Sequence, residues 1–318
     1  MKKTILFLLL LFPVLCTLSP VVYAADTSGT TTATFLRIEQ GVRALGMGGA
    51  FTAVSKDIES VWWNPAGAST IDATEVNASY SQYIADLYGS YAAIAIPRHL
   101  GCIIGSVNYV SMGSLNALDS QGNFIKSINL SAYAVALGYA FPLTSNMSFG
   151  FTVKDIQQNL GDDTSSGFGA DAGCQAYLSD SLSLGVSVQN IGSGLQTDSY
   201  TNSIPLELRG GLAYSVTPKF LLALDEEKPS DSDTSTRLGA ELKITDAFCL
   251  RAGYNSNSAA GFSCGAGINA PFSAKSGDAW WKDSGEKDYN HNVVSINYAY
   301  VTSQYFDAMH RVSVTVKF

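Results

Sequence analysis

The residues from His310 to Phe318 alternate without a break. Val312, Val314, Val316 and Phe318 fall on one face; Arg311, Ser313, Thr315 and Lys317 fall on the other. Period two with apolar and ionic residues kept apart specifies a strand with one oily and one wet side. The same alternation, cut by short turns, runs upstream to about Thr74, with no helix-period segment of any length. It predicts strands at 74–84, 88–97, 100–112, 128–141, 146–159, 166–178, 181–191, 205–216, 218–227, 234–244, 246–255, 260–269, 291–301 and 309–318. Residues 26–72 do not share the pattern. They hold a glycine-rich stretch from Gly41 to Gly49, a helical patch near Asp57 to Trp62, and then Asn64-Pro65-Ala66-Gly67.

The faces sort by charge. Leu206, Leu208, Leu212 and Tyr214 oppose Glu207, Arg209, Gly211 and Ser215. Leu238, Ala240 and Leu242 oppose Arg237, Gly239, Glu241 and Lys243; Phe248, Leu250, Ala252 and Tyr254 oppose Arg251 and Gly253. A Lys or Arg at the middle of a bilayer costs about 2–4 kcal/mol, so a wall facing lipid must be sorted in this way. Fourteen strands is an even number, as in single-chain bacterial barrels, and a final strand ending on Phe318 fits that class. The expected fold is all-β: a 14-stranded antiparallel transmembrane β-barrel over residues 73–318. Lipid and lipopolysaccharide of the outer membrane would surround it, and Glu207, Arg209, Arg237, Glu241, Arg251 and Arg311 would face its lumen. Every second connection is tight: Pro97 to Leu100, Pro142 to Asn146, Ser179-Asp180, Thr217-Pro218 and Thr245-Asp246. With 113–127 and 192–204 read as longer outer loops, parity puts both termini on the periplasmic side. The segment 270–290 breaks the rule. Its Trp280 and Trp281 stand among charges, as an anchor in the headgroup layer or as a docking point for a protein partner.

The start of the chain reads as a secretory leader over residues 1–24. Lys2 and Lys3 precede an apolar run from Ile5 to Leu15, and Val22-Tyr23-Ala24 suits cleavage after Ala24. Residues 25–72 then form a separate N-terminal segment. The run is too short for a membrane span and is broken by Pro13 and Pro20. Composition agrees with export to an envelope barrel. Only 14% of the chain is charged, and it holds 29 Gly, 16 Tyr and 15 Phe. The formal charge of -8 becomes -10 without Lys2 and Lys3, which argues against nucleic acid as a partner. A soluble β-sandwich is the competing reading of the same composition.

Enzyme chemistry finds no motif. His99, His291 and His310 lie in no hydrolase or zinc-protease context, and Cys102, Cys174, Cys249 and Cys264 have no metal-ligand spacing. Cys264 falls on the oily face with Phe262, Cys249 on the wet face with Arg251, so no cross-strand disulfide is expected. Gly46-Met47-Gly48-Gly49 lacks the strand and the Lys-Ser/Thr of a phosphate loop. Asp162-Asp163 and Asp231-Ser232-Asp233 read as solvated loop acids. No cofactor, metal site or catalytic residue is expected.

Residues 35–69, from Phe35-Leu-Arg-Ile-Glu-Gln-Gly-Val-Arg through Trp62-Trp63-Asn64-Pro65-Ala66-Gly67, resemble the N-terminal signature of the PorV/PorQ family of FadL-like outer-membrane barrels. Val188–Gly192, Ile204–Gly211, Leu250–Tyr254 and His310–Ser313 are similar to it as well. Ser55-Lys56-Asp57 departs from the family pattern, as does the 270–290 insertion. The resemblance implies a fourteen-stranded barrel whose N-terminal segment folds inside as a hatch, with Asn64, Pro65 and Ala66 gating a path for hydrophobic compounds. Arg43, Gly46, Gly48 and Gly49 would lie close to the inner wall, and a plain plug is the alternative to a working gate. The implied roles are a component or cargo-shuttling partner of a type IX-like secretion machine, first, and a channel for hydrophobic small molecules, second. A purely architectural barrel is a third.

Overall fold

The computed structural model describes residues 29–83, 87–161, 163–197, 200–256, 261–272, 292–302 and 308–318. The expected leader over 1–24, Asp162, Trp280, Trp281 and His291 lie outside the described residues. Sixteen strands run through the described residues: β1 (Glu75–Gln82), β2 (Tyr88–Arg98), β3 (Gly101–Leu118), β4 (Phe124–Thr144), β5 (Met147–Leu160), β6 (Thr164–Ser179), β7 (Leu182–Gly192), β8 (Leu195–Thr197), β9 (Tyr200–Asn202), β10 (Glu207–Thr217), β11 (Phe220–Pro229), β12 (Ser235–Lys243), β13 (Phe248–Asn255), β14 (Phe262–Pro271), β15 (Val293–Val301) and β16 (Met309–Lys317). All but the short β8–β9 hairpin pair antiparallel in one closed ring. β7 pairs with β10, β5 with β6, and β1 joins β16 to β2. The ring is the expected 14-stranded barrel, and each predicted strand is present within a few residues.

Alternation sets the two surfaces. Leu208 is 48% exposed, while its neighbours Glu207 and Arg209 are 1% and 4% exposed. Leu238, Leu250, Val312 and Val314 likewise face out, and Arg237, Glu241, Arg251 and Arg311 are buried inside. A ring has no free strand edge, so its backbone groups are satisfied within the wall and its outer face can meet hydrocarbon. The four described cysteines are free, with Cys264 and Cys174 outside and Cys249 and Cys102 buried. His99 is exposed in its turn, and the exposed His310 shares a 2.7 Å hydrogen bond with the Tyr298 hydroxyl.

The wall is uneven in height. β1 and β16 have 8 and 9 residues, whereas β3 and β4 have 18 and 21. The last β2–β3 pair is Tyr88–Ser111 and the last β4–β5 pair is Leu130–Leu160. Beyond them β3 and β4 pair only with each other, as a ribbon standing above the rim. The span 113–127, read from sequence as a loop, is mostly this ribbon. Its surfaces are inverted relative to the wall. Ser127 and Asn129 continue the outward row of Tyr133 and Val135, and Ile128 and Leu130 continue the inward row of Ala132 and Ala134. Its tip is a turn organised by Asp119, whose carboxylate accepts from the backbone N–H of Gln121 and Asn123. The Asn123 side-chain amide donates to the same carboxylate at 2.9 Å, and this bond, with the backbone ones, holds the Asp119 carboxyl below its usual pKa. The other predicted long loop, 192–204, carries the β8–β9 hairpin.

Candidate functional site

The N-terminal segment crosses the lumen from one end of the barrel to the other. At the loop end, Thr32 N–H donates to Ser203 O, and Arg37 reaches Asp231 between β11 and β12 at 3.0 Å. At the turn end, Thr74 and Phe318 exchange backbone hydrogen bonds of 3.1 and 3.0 Å. Parity therefore places the start of β1 and the end of β16 together, as expected, but the described chain begins at the opposite end.

The local structure of the segment follows from its small residues and from two side chains. A helical turn, Val42–Gly46, ends where Gly48 (φ 68°) N–H donates to Leu45 O and Gly49 N–H to Ala44 O, a left-handed cap that favours glycine. A Cβ on Gly48 would stand 2.6 Å from the Tyr254 backbone nitrogen, so the turn lies directly on β12–β13. Gly46 approaches the Gly265 backbone in the same way. Trp63, fully buried, donates from its indole to Gln40 O at 3.0 Å and lies under the guanidinium groups of Arg209 and Arg237, 4.8 and 5.6 Å from the ring centre. Asn64 caps the 3-10 turn Pro65–Thr70, with its side-chain oxygen accepting from Ala66 N–H at 3.1 Å. Pro65 takes the first position, where its missing N–H costs nothing. The Asn64 amide donates to Thr52 O (2.9 Å) and to Cys174 O in β6 (3.0 Å), which ties the turn to the wall. Gly150 and Gly173 open room for it. A Cβ on Gly150 would be 2.5 Å from Ala66 N, and one on Gly173 would be 3.2 Å from Pro65 Cδ.

The lumen-facing charges join into a network that grips this segment. Arg43 donates twice to Glu241 and once to Asp57, each at 2.7 Å, and Arg251 donates to the same Glu241 at 2.7 Å. Burial would lower the Arg43 pKa, but Glu241 and Asp57 outweigh it and hold the value well above the usual one. Arg209 pairs with Glu207 (2.8 Å) and Glu227 (3.2 Å); Arg237 pairs with Glu227 and Glu39. Arg37 adds Glu207 at 3.4 Å. Asp225 accepts the backbone N–H of Phe51 and Thr52 at 2.8 and 2.7 Å. Asp231, read from sequence as a solvated loop acid, is 3% exposed and clamps Arg37 and Thr31. Glu59 is buried, and among the described residues it forms no salt bridge. It accepts from Arg43 N–H (2.7 Å) and the Ser313 hydroxyl (2.9 Å), and burial together with Asp57 pushes it up to about 7. Glu39, Asp57, Glu59, Asp225 and the Lys154–Asp171 pair were not singled out in the sequence. Asp225 and Lys154 lie on the wet rows of alternating strands, a signal that could have flagged them.

Two spaces remain. One of about 20 Å³, enough for a single water, lies among Trp62, Tyr91, Asn108 and Lys154. The other, about 310 Å³, opens at the loop end between the segment and the low wall, with Arg37, Glu39, Tyr83, Arg237, Met309 and Arg311 on its surface. Next to it, Phe35, Leu36, Leu195, Ile204, Val110 and Ile156 form an apolar seal under the ribbon side of the mouth.

No protein-family model matches the chain, and no curated protein matches it. Solved structures do. The toluene transporter TodX of Pseudomonas putida superposes with a TM-score of 0.62 at 12% identity, over 87% of this chain and 97% of that one. The toluene transporter TbuX of Ralstonia pickettii gives 0.57 at 11%, over 87% and 97%. A FadL homologue of Pseudomonas aeruginosa gives 0.55 at 10%, over 88% and 98%. At these identities the likeness is one of architecture, and the chain has the fold of those FadL-type hydrocarbon-transporter barrels.

Proposed function

We propose that the chain is an outer-membrane channel for hydrophobic small molecules in a diderm bacterium, delivered by a cleaved leader over residues 1–24 and closed by residues 25–72 acting as a hatch. The observation that carries this reading is a lumen filled by a segment held in two unlike ways, inside a barrel of the architecture of the toluene transporters. Gly46, Gly48, Gly49 and Arg43 belong to the fixed half. Asn64, Pro65 and Ala66 belong to the half that moves, because neutral hydrogen bonds net only about 0.5–1.5 kcal/mol each. An apolar molecule would collect on the inner face of the ribbon, at Ile128 and Leu130, pass the seal at Phe35 and Leu195, and leave when the Asn64 turn swings from β5 and β6.

The PorV/PorQ resemblance ranks a secretion partner first. That role rests on the sequence resemblance, whereas the fold relatives favour the channel, and Trp280 and Trp281, its suggested docking point, lie outside the described residues. Purified protein in liposomes tests the choice. Wild type should pass toluene, and Asn64→Ala, which frees Thr52 O and Cys174 O, should change the rate about tenfold or more. A wild-type barrel, folded by the heat-modifiability criterion, that passes no toluene would reject the channel.

A further inference from the structure

The space of about 20 Å³ beside Trp62 is not lined like a packing void. Tyr91 of β2, Asn108 of β3, Lys154 of β5 and Asp171 of β6 all reach it, and all four are buried. The wall is continuous at this height: Tyr91 opposes Asn108, Asn108 opposes Ala134, and Ala136 opposes Lys154. The acceptors are already engaged. Asp171 takes Lys154 Nζ at 2.7 Å, the Thr152 hydroxyl at 2.8 Å and Asn190 N–H at 2.9 Å. Asn108 gives its side-chain oxygen to the Gln40 amide at 3.1 Å. Donors are left over. An ammonium has three N–H groups, and Lys154 spends two, on Asp171 and on Asn190 Oδ1 at 2.6 Å. Among the described residues, Asn108 Nδ2 and the Tyr91 hydroxyl are buried with no hydrogen-bond partner. A buried donor without a partner is costly. The volume exceeds the roughly 10–15 Å³ that one water needs, and small cavities with several polar partners are wet where apolar ones stay dry.

We infer that this cavity binds one resident water, which accepts from Asn108 Nδ2 and the third N–H of Lys154 and donates to the Tyr91 hydroxyl oxygen. The lining selects a small neutral oxygen. A cation would meet the Lys154 ammonium, and an anion finds that charge already answered by Asp171. The water joins β2 and β3 to the Lys154–Asp171 pair alongside Trp62. The indole packs edge-on against Tyr91, 5.7 Å between ring centres, and the Lys154 ammonium stands 6.0 Å from the indole centre. Both groups that hold Trp62 are thus braced by the same water, two residues before Asn64.

The direct test is a crystal structure of the whole barrel at a resolution that shows ordered water. One water within hydrogen-bond reach of Asn108 Nδ2 and Lys154 Nζ is the expected result, and it needs no variant. A dry cavity in a map with ordered waters elsewhere in the lumen, or a cavity closed by Asn108 turning onto Tyr91, would overturn the inference. Tyr91→Phe adds a test of sign, because it keeps the ring against Trp62 and removes the hydroxyl alone. A hydroxyl bound to water takes a hydrogen bond with it, so the unfolding temperature should fall by about 2–4 °C. A hydroxyl buried without a partner is better removed, so a temperature that holds or rises would count against the water. Hydrogen exchange at Trp62 and Trp63 should quicken in this variant while residues 37–57 keep the wild-type rate. Equal change in both stretches would reject a brace local to Trp62.

Discussion

Residues 37–57 meet the wall from β10 to β14 through arginines and carboxylates, whereas residues 64–70 meet β4, β5 and β6 with almost no charge. In the first contact Glu241 alone takes hydrogen bonds from Arg43 and Arg251, and Arg209, Arg237 and Arg37 chain on to Glu207, Glu227 and Asp231. In the second, the attachment is one Asn64 amide on a strand carbonyl, the apolar packing of Ala68 against β2, β3 and β4, and the absence of side chains at Gly150 and Gly173. The difference teaches where motion is affordable. Breaking one partner of a buried ion pair costs about 3–5 kcal/mol, because a charge is stranded. Lifting the Asn64 turn exchanges neutral hydrogen bonds for water at a fraction of that. On the proposed channel reading, the ionic half is the fixed floor and the close-packed half the movable part.

The largest expected effect breaks the ionic half. Glu241→Gln removes the charge that Arg43 and Arg251 share, and should destabilise the packed segment by about 3–5 kcal/mol. The check is thermal unfolding of the refolded barrel, with protease access to residues 37–57 as a second readout. Because the pairs are buried, the loss should change little between low and high salt. A variant as stable as wild type would show that the network is not what holds this half.

A smaller effect isolates the close-packed half. Gly150→Ala places a Cβ against the Pro65–Ala66 backbone, which cannot yield as a flexible side-chain end would. The overpacking should cost about 1–3 kcal/mol and push the turn from the wall. Planar-bilayer conductance should then rise, while barrel assembly on gels stays intact. Gly210→Ala, with nothing within 4 Å of the added Cβ, is the matched control and should behave as wild type. Equal conductance in the two variants would count against a movable Asn64 turn.

The wall of this molecule was legible because its physics is local. Leu208 and Arg209 announce their faces to any reader of a period-two pattern, and the ring repeats that statement strand after strand. The ribbon was not, since the outward row loses its apolar residues at Ser127 and Asn129 once it leaves the lipid zone, and the alternation then looks like a loop. The inner segment was legible only as a non-strand. Its helical turns, Val42–Gly46 and Ser60–Trp63, are too short to show a period. Its shape is imposed by partners far along the chain: Arg37 answers Asp231 across 194 residues, so a pair of loop acids looked solvated. Arg43, Asn64 and the glycines were found through a family resemblance.

The smallest effect joins the two halves through protons. Glu59 lies between them, packed on Ser313 of β16, Asn77 of β1 and the Arg43 backbone, with Asp57 adding negative charge and Arg251 of β13 opposing it. Burial, and after it Asp57, raises its carboxyl from 4.5 to about 7. A carboxyl raised in the folded state favours the packed form when protonated. That contribution is complete below about pH 4.5 and fades as pH climbs through 7, so the segment should loosen between pH 5 and pH 8. The change should be on the order of 1 kcal/mol after water reaches the opened site. Hydrogen exchange of residues 57–64 should therefore quicken above pH 7 beyond its intrinsic base-catalysed rise, and Glu59→Gln should remove the excess by fixing the neutral form. If Glu59→Gln keeps the full pH dependence, the proton acts elsewhere, and the two halves are coupled through the backbone of Trp62 and Trp63 rather than through this carboxyl.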